Sequence, residues 1–313
     1  MNKTTKIILA VLCLLIALML SIVLMKGLHG ELGFLNWSFS GKFWSKNIVE
    51  NVDSVYKDSN TKVATIYEDI SNLDIDLVNE AFVLETWNND YTEVTIISSY
   101  PQEKQPKINF AGSTLSISVP PRNSFGIHAG DNVTIKLPKT MAENLTKTDV
   151  DIVSGKVNIS NTKSTDANVS SVSGSININE CDFVALDCDS VSGAIKITTS
   201  KIEEVSCESV SGKIEIEADI EKNFDISTTS GSQTIKTNTL PLLGGDCESI
   251  SGSVKIAIPE NTGFSLDYES ISGSISNEFT GSTMKKSGEN VYKNGSVEFD
   301  VETVSGKITI TKI

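Results

Sequence analysis

A three-residue signature recurs down this chain and constrains its fold more than any other feature. Val153-Ser154-Gly155 is followed by Val172-Ser173-Gly174, Val191-Ser192-Gly193, Val210-Ser211-Gly212, Thr229-Ser230-Gly231, Ile250-Ser251-Gly252, Ile271-Ser272-Gly273 and Val304-Ser305-Gly306. The glycines are spaced 19, 19, 19, 19, 21, 21 and 33 residues apart. A fixed period of this length marks stacked structural repeats. Two and four residues after the glycines the chain is apolar except at Gln233 and Asn277, as at Ile176 and Ile178 or Ile195 and Ile197, with polar residues between. That alternation of β-branched residues is a half-buried strand. Five and seven residues before the glycines a second apolar pair appears, as at Val169 and Ala167 or Cys207 and Val205, with Thr148 and Gly245 as exceptions. The inward parity shifts between the two strands, which predicts a corner near Ser171, Ser190, Ser209, Ser249 and Ser270. The glycine then permits a close backbone approach or a second bend.

A 19-residue unit cannot bury its own inward face, whereas a stack of such units can. The predicted fold is therefore all-β, a parallel β-solenoid of 19–21-residue coils, with each strand paired to its equivalent one coil away. The handedness rule for parallel crossovers predicts a right-handed helix. Eight signature coils at ~4.8 Å span roughly 34 Å. The regular repeats occupy residues 142–313. The long last interval holds an insertion near 281–295, with Lys285, Lys286, Lys293 and three glycines, which reads as a surface loop in one coil. Residues 55–141 are β-rich without a clean period, with strands expected over 63–67, 73–77, 81–87, 93–98, 114–119 and 132–136. This segment is either a degenerate first part of the solenoid or a β cap on it. Solenoid ends need such a cap, because an open edge templates further pairing.

Residues 7–25 are apolar apart from Ser21 and carry no charge. Nineteen residues at ~1.5 Å reach roughly 28 Å, about one hydrocarbon thickness. No small-x-small cleavage site follows, so the reading is an uncleaved single-pass anchor, with 1–26 as tail and span. The lipid bilayer is then a partner through residues 7–25. Lys3 and Lys6 favour an inside N-terminus and an extracytoplasmic C-terminal domain. Residues 27–54 form a juxtamembrane stem. Its Phe34, Trp37, Phe39, Phe43 and Trp44 either sit at headgroup level or pack under the first strands.

The chain carries 26 Lys+Arg against 40 Asp+Glu, a net charge of −14. That argues against nucleic-acid binding and against a polybasic lipid patch. The single arginine, Arg122, and two histidines, His29 and His128, are a poor stock for proton-transfer or phosphate chemistry. No phosphate-cradling loop, nucleophile elbow or zinc helix appears. The expectation is no enzyme and no cofactor.

The most distinctive polar feature lies six and four residues before each glycine. Acidic residues recur there, including Asp187, Asp189, Glu208, Asp246, Glu248, Asp267 and Glu269. They share an outward parity, so one flank carries two carboxylate ladders. Such oxygen-rich rows suit loosely bound Ca²⁺, and they equally suit a solvated acidic face. Paired carboxylates also serve some polysaccharide-cleaving β-helices, but here they recur coil after coil, as a structural pattern does. Cys188, Cys207 and Cys247 fall in an inward column and read as small buried hydrophobes, while Cys181 has no evident partner and Cys13 lies in the span. Their spacing fits no zinc site. The signature serines read as a hydroxyl ladder bonding neighbouring coils at the turn.

The Val-Ser-Gly-x-Ile-x-Ile coil, together with Asn132-Val133-Thr134-Ile135-Lys136-Leu137-Pro138, resembles a bacterial β-strand-repeat family of adhesin-like proteins of otherwise unknown function, over roughly residues 60–313. Members such as the LiaG-like proteins of envelope-stress operons often follow one N-terminal span. The resemblance implies an envelope location and brings no catalytic residues. The reading is a membrane-anchored, extracytoplasmic, non-catalytic binding or scaffolding protein with an envelope polymer or membrane protein as partner. An accessory regulator of an envelope-stress system is the alternative, and a carbohydrate-active enzyme the third.

Overall fold

The computed structural model describes residues 50–122, 130–260, 263–280, 282–283 and 286–313. All of them belong to one compact unit, Asn47–Ile313. The expected anchor, Cys13, His29, the aromatic stem residues and His128 lie outside the described residues.

The regular coils are built as their period requires. Lys163–Ser171 pairs in parallel with Asp182–Ser190, placing Val169 opposite Cys188. Val157–Ser160 pairs in parallel with Ile176–Asn179, placing Ile159 opposite Ile178. The apolar columns all face inward and are buried, from Leu186 and Cys188 on one side to Ile176 and Ile178 on the other. A short third side was not evident from the pattern. Ser164 pairs with Phe183, the ladder skips a residue, and it resumes at Asp166 opposite Ala185. Phe183 and Ile202 point into the core from this side. With so few residues per coil it leaves no alternation to read.

The corner explains the signature. The hydroxyl of Ser171 accepts a hydrogen bond from the Gly174 N–H at 2.8 Å, and Ser190, Ser209 and Ser249 repeat the contact at the same distance. The signature serines donate instead to the coil before, Ser192 to the Val172 carbonyl and Ser211 to the Val191 carbonyl, each at 3.2 Å. A Cβ on Gly174 would lie 1.7 Å from the Gly155 oxygen, and one on Gly193 would lie 1.8 Å from the Gly174 oxygen. Only glycine lets the coils stack at strand spacing there. Gly245, an outlier in an apolar column, has a separate reason. A Cβ on it would meet the Phe224 ring at 2.4 Å. The gap lets Phe224 stack on Phe299, with centroids 5.8 Å apart, across the coil between them.

The ends depart from a sequential stack. Gly244–Ser249 pairs with Glu298–Thr303, and that strand pairs on its other side with Phe264–Ser270. The last coil in sequence therefore lies inside the stack, between two earlier ones. The described residues of the insertion include two strands where a surface loop was expected. Ser287–Tyr292 runs antiparallel along Phe264–Ser270, and Ser282–Thr283 runs antiparallel along Ile275–Asn277. Reversed strands cover the edge that a parallel coil would leave open, and the chain then doubles back to fill the slot behind it.

The other end mirrors this. Asn72–Leu77 pairs with both Leu145–Ile152 and Thr114–Ser118, so the first coil lies inside the second. Lys107–Ala111 and Thr92–Ile97 then cover the outer coil in antiparallel. The described residues of 55–141 thus form both solenoid and cap. Each main face has ten parallel rungs among the described residues, roughly 43 Å of axis at ~4.8 Å per step.

Candidate functional site

Two surfaces stand out: the acidic flank and a groove at the opposite corner of the coil. The flank is as the repeat predicted, and longer. In register order its outer column runs Asp74, Asp149, Asn168, Asp187, Ser206, Asp225, Asp246, Asp300 and Asp267. The second column contains Asp76, Asp151, Ser170, Asp189, Glu208, Ser227, Glu248, Glu302 and Glu269. Because the last coil is inserted, Glu302 separates Glu248 from Glu269. Asp74 and Asp76 were missed because their coil lacks the glycine signature. Register puts Glu80 where later coils have glycine.

Packing like charges at strand spacing has a cost that the flank relieves in two ways. Asn168, Ser170, Ser206 and Ser227 interrupt the columns, and the Ser170 hydroxyl donates to the Asp151 carboxylate. Eight of the flank's carboxyls, Asp300 and Glu302 among them, also hold their protons more tightly than usual. Burial, with the charges of Asp149 and Asp74, pushes Asp151 up to about 6. Burial, with Glu208, Asp187 and Asp151, pushes Asp189 up to about 6. Burial likewise raises Asp187, Glu208, Asp246 and Glu248. Among the described residues no three His, Cys, Asp or Glu side chains converge to hold a metal ion. The ladder residues Asp187, Asp189, Glu208, Asp246, Glu248, Asp267 and Glu269 run in parallel rows, and a Ca²⁺ cage needs ligands around one point.

Arg122 lies outside the repeats, yet inside the fold. Its guanidinium pairs with Glu80 at 2.6 Å, both side chains buried, and its carbon lies 3.7 Å from the Tyr100 ring centroid. Its Nε–H donates to the Lys104 carbonyl and its Nη1–H to the Asn79 amide oxygen. It clamps the outer loop to the first coil.

The described cysteines are free and buried. Cys188 and Cys207 face each other in register without a disulfide. The hydrogen bond to Cys207 and burial hold the Cys188 thiol well above its ordinary value. Cys181 closes the turn after the second strand, within 3.5 Å of the Thr162 hydroxyl and 3.3 Å of the Asn179 carbonyl. Burial raises it too.

The groove follows that same turn from coil to coil and encloses about 640 Å³. Asn161, Glu180 and Thr199 project into it from equivalent positions one coil apart. No chemical motif announces them, although their common offset of six residues from the signature glycine is a signal.

The Toastrack DUF4097 family model matches residues 70–311. The chain belongs to that family. Among solved structures, this Toastrack chain is similar to one described as a "putative adhesin" from Bacteroides fragilis NCTC 9343. That match has 13% identity and a TM-score of 0.50, over 81% of this chain and 98% of the other. A "putative adhesin" from Parabacteroides distasonis ATCC 8503 matches at 12% identity and a TM-score of 0.46, over 82% and 98%. A "putative lipid binding protein" from the same strain matches at 16% identity and a TM-score of 0.40, over 81% and 97%. At such identity the first likeness shows a shared fold alone. No curated protein matches the sequence.

Proposed function

We propose that this Toastrack chain is a membrane-anchored, extracytoplasmic β-solenoid of the bacterial envelope that acts by binding, without catalysis and without a cofactor. The observation that carries this reading is the register. Outward side chains repeat from coil to coil, so the chemistry is linear and periodic, as suits a polymer contacted at many weak points. The scarce reactive groups support it as well. Arg122 is buried against Glu80, the described thiols are buried, and burial holds the protons of Cys181, Cys188 and Cys247. Residues 7–25 supply the anchor in this reading. The binding role accords with the adhesin name given to the Bacteroides fragilis structure.

Co-sedimentation tests it. The purified full chain, kept in mild detergent, is mixed with isolated cell-wall sacculi and spun. Saturable pelleting with the walls is expected. A chain that leaves walls unbound and is retained by a membrane protein would instead favour the accessory-regulator alternative.

A further inference from the structure

The groove beside the turn has a feature that packing does not explain. Asn161, Glu180 and Thr199 adopt left-handed backbone conformations, with φ of 56°, 54° and 52°. Glycine occupies that region without penalty and asparagine tolerates it. Glutamate does not favour it, and a β-branched threonine there is an outlier. All three side chains are exposed, and none makes a hydrogen bond or ion pair among the described residues. Backbone bonds hold the turn, the Asn161 N–H to the Asn179 carbonyl at 3.2 Å and the Glu180 N–H to the Thr198 carbonyl at 3.1 Å. The side chains add nothing to it, and glycine would make it with less strain, a choice of residue that clusters at binding sites.

The surroundings say what fits. Lys139 and Glu143 line the near end of the groove and are also unpaired among the described residues. The other wall charges are already matched, Lys163 with Asp182 at 3.2 Å and Lys201 with Glu221 at 2.9 Å. What remains open is an amide, a hydroxyl, an ammonium and two carboxylates, a mixed set of donors and acceptors along several coils. The excess of carboxylates and the net charge of −14 repel polyanions.

An aromatic cluster adjoins the near end. Trp87 pairs with Pro138, and their neighbours Thr86 and Lys139 line the groove. Trp87 and Tyr91 meet edge to face at 4.8 Å, and Tyr91 lies 5.6 Å from Tyr67, which is 71% exposed. Tyr67, backed by the half-buried Tyr91 and Trp87, offers an apolar ring face beside the polar run. A chain with apolar ring faces and hydroxyl edges matches both.

We propose that this groove binds an extended, uncharged polysaccharide, with Asn161, Glu180 and Thr199 bonding its hydroxyls and the Tyr67 side of the cluster receiving a sugar face. The proposal rests on the envelope-binding reading above and names its ligand class and site.

The test is isothermal titration of the full chain in detergent with the N-acetylglucosamine hexamer, and with polygalacturonate and an extended uncharged peptide as comparison probes. Saturable binding of the hexamer alone is expected. In the triple variant Asn161→Gly, Glu180→Gly, Thr199→Gly it should weaken at least tenfold while Tm stays level or rises. Tyr67→Ala should weaken it several-fold with Tm unchanged. No hexamer binding, equal binding of either comparison probe, an unchanged triple variant, or a triple variant with lowered Tm would each overturn the proposal. Walls that still pellet the chain when the hexamer does not bind would reject this groove and leave the envelope reading standing. A cytosolic location with hexamer binding intact would do the reverse.

Discussion

Replacing Gly193 with alanine should strongly destabilise the solenoid although it adds one methyl group. The new Cβ would sit 1.8 Å from the Gly174 carbonyl oxygen and 2.6 Å from its carbon. Both are backbone atoms of the adjacent coil, so no rotamer change relieves the contact. The coils must part locally, and two bonds across them flank the glycine. The Ser192 N–H donates to the Val172 carbonyl at 3.0 Å, and the Ile176 N–H donates to the Ala194 carbonyl at 2.9 Å. Overpacking a core costs roughly 1–3 kcal/mol, and each lost bond about 1 kcal/mol more. The expected loss is about 3–5 kcal/mol, a large share of a typical ~5–15 kcal/mol. Gly112→Ala is the control. Gly112 has φ +63°, and a Cβ added there would meet nothing within 4 Å, so only the left-handed backbone cost of about 1–2 kcal/mol applies. Urea unfolding reads both as midpoint shifts at constant slope. If Gly193→Ala costs no more than Gly112→Ala, the close-approach account of the signature glycine is wrong.

Other consequences follow from the buried groups. Arg122→Ala leaves the Glu80 carboxylate buried without its partner and should lose about 3–5 kcal/mol in the same urea assay, part of it regained on adding Glu80→Gln. Asp151 and Asp189 bind protons more tightly folded than unfolded, since both are raised to about 6. The stability that their protonation adds is therefore fully present below about pH 4 and is lost as pH rises through 6, so the fall in Tm between pH 4 and pH 7.5 should be smaller in Asp189→Ser. Cys181, Cys188, Cys207 and Cys247 should resist a thiol reagent in the folded chain and react once urea unfolds it. Rapid native labelling of any of them, mapped by mass spectrometry, would contradict their burial.

The regular coils were legible because each inward position repeats. Val169, Cys188 and Cys207 declare one column, and the parity shift at Ser171 declares the corner. The order of the end coils was not legible. The columns of residues 298–312 match those of 244–258 and 264–277 equally well, so alternation cannot say which neighbour the last coil takes. Edge protection decides it, and that depends on where the reversed strand Ser287–Tyr292 lies. The first coil was obscured because Glu80 stands at the glycine position and turns its carboxylate to Arg122. Lys107–Ala111 escaped notice beside Pro106. The acidic flank was half visible, its register clear and its extra rung, Asp74 and Asp76, hidden. The groove residues carry no chemical motif, and their left-handed turn is a backbone property.

The central claim, that this solenoid works outside the membrane, is tested most directly by protease treatment of intact cells bearing a tag after Ile313. That residue is 48% exposed, so a tag there is accessible on the folded chain. Cleavage of the tag with a cytosolic control protected is the predicted result. Protection lost only on lysis would place the solenoid inside the cell and contradict the account.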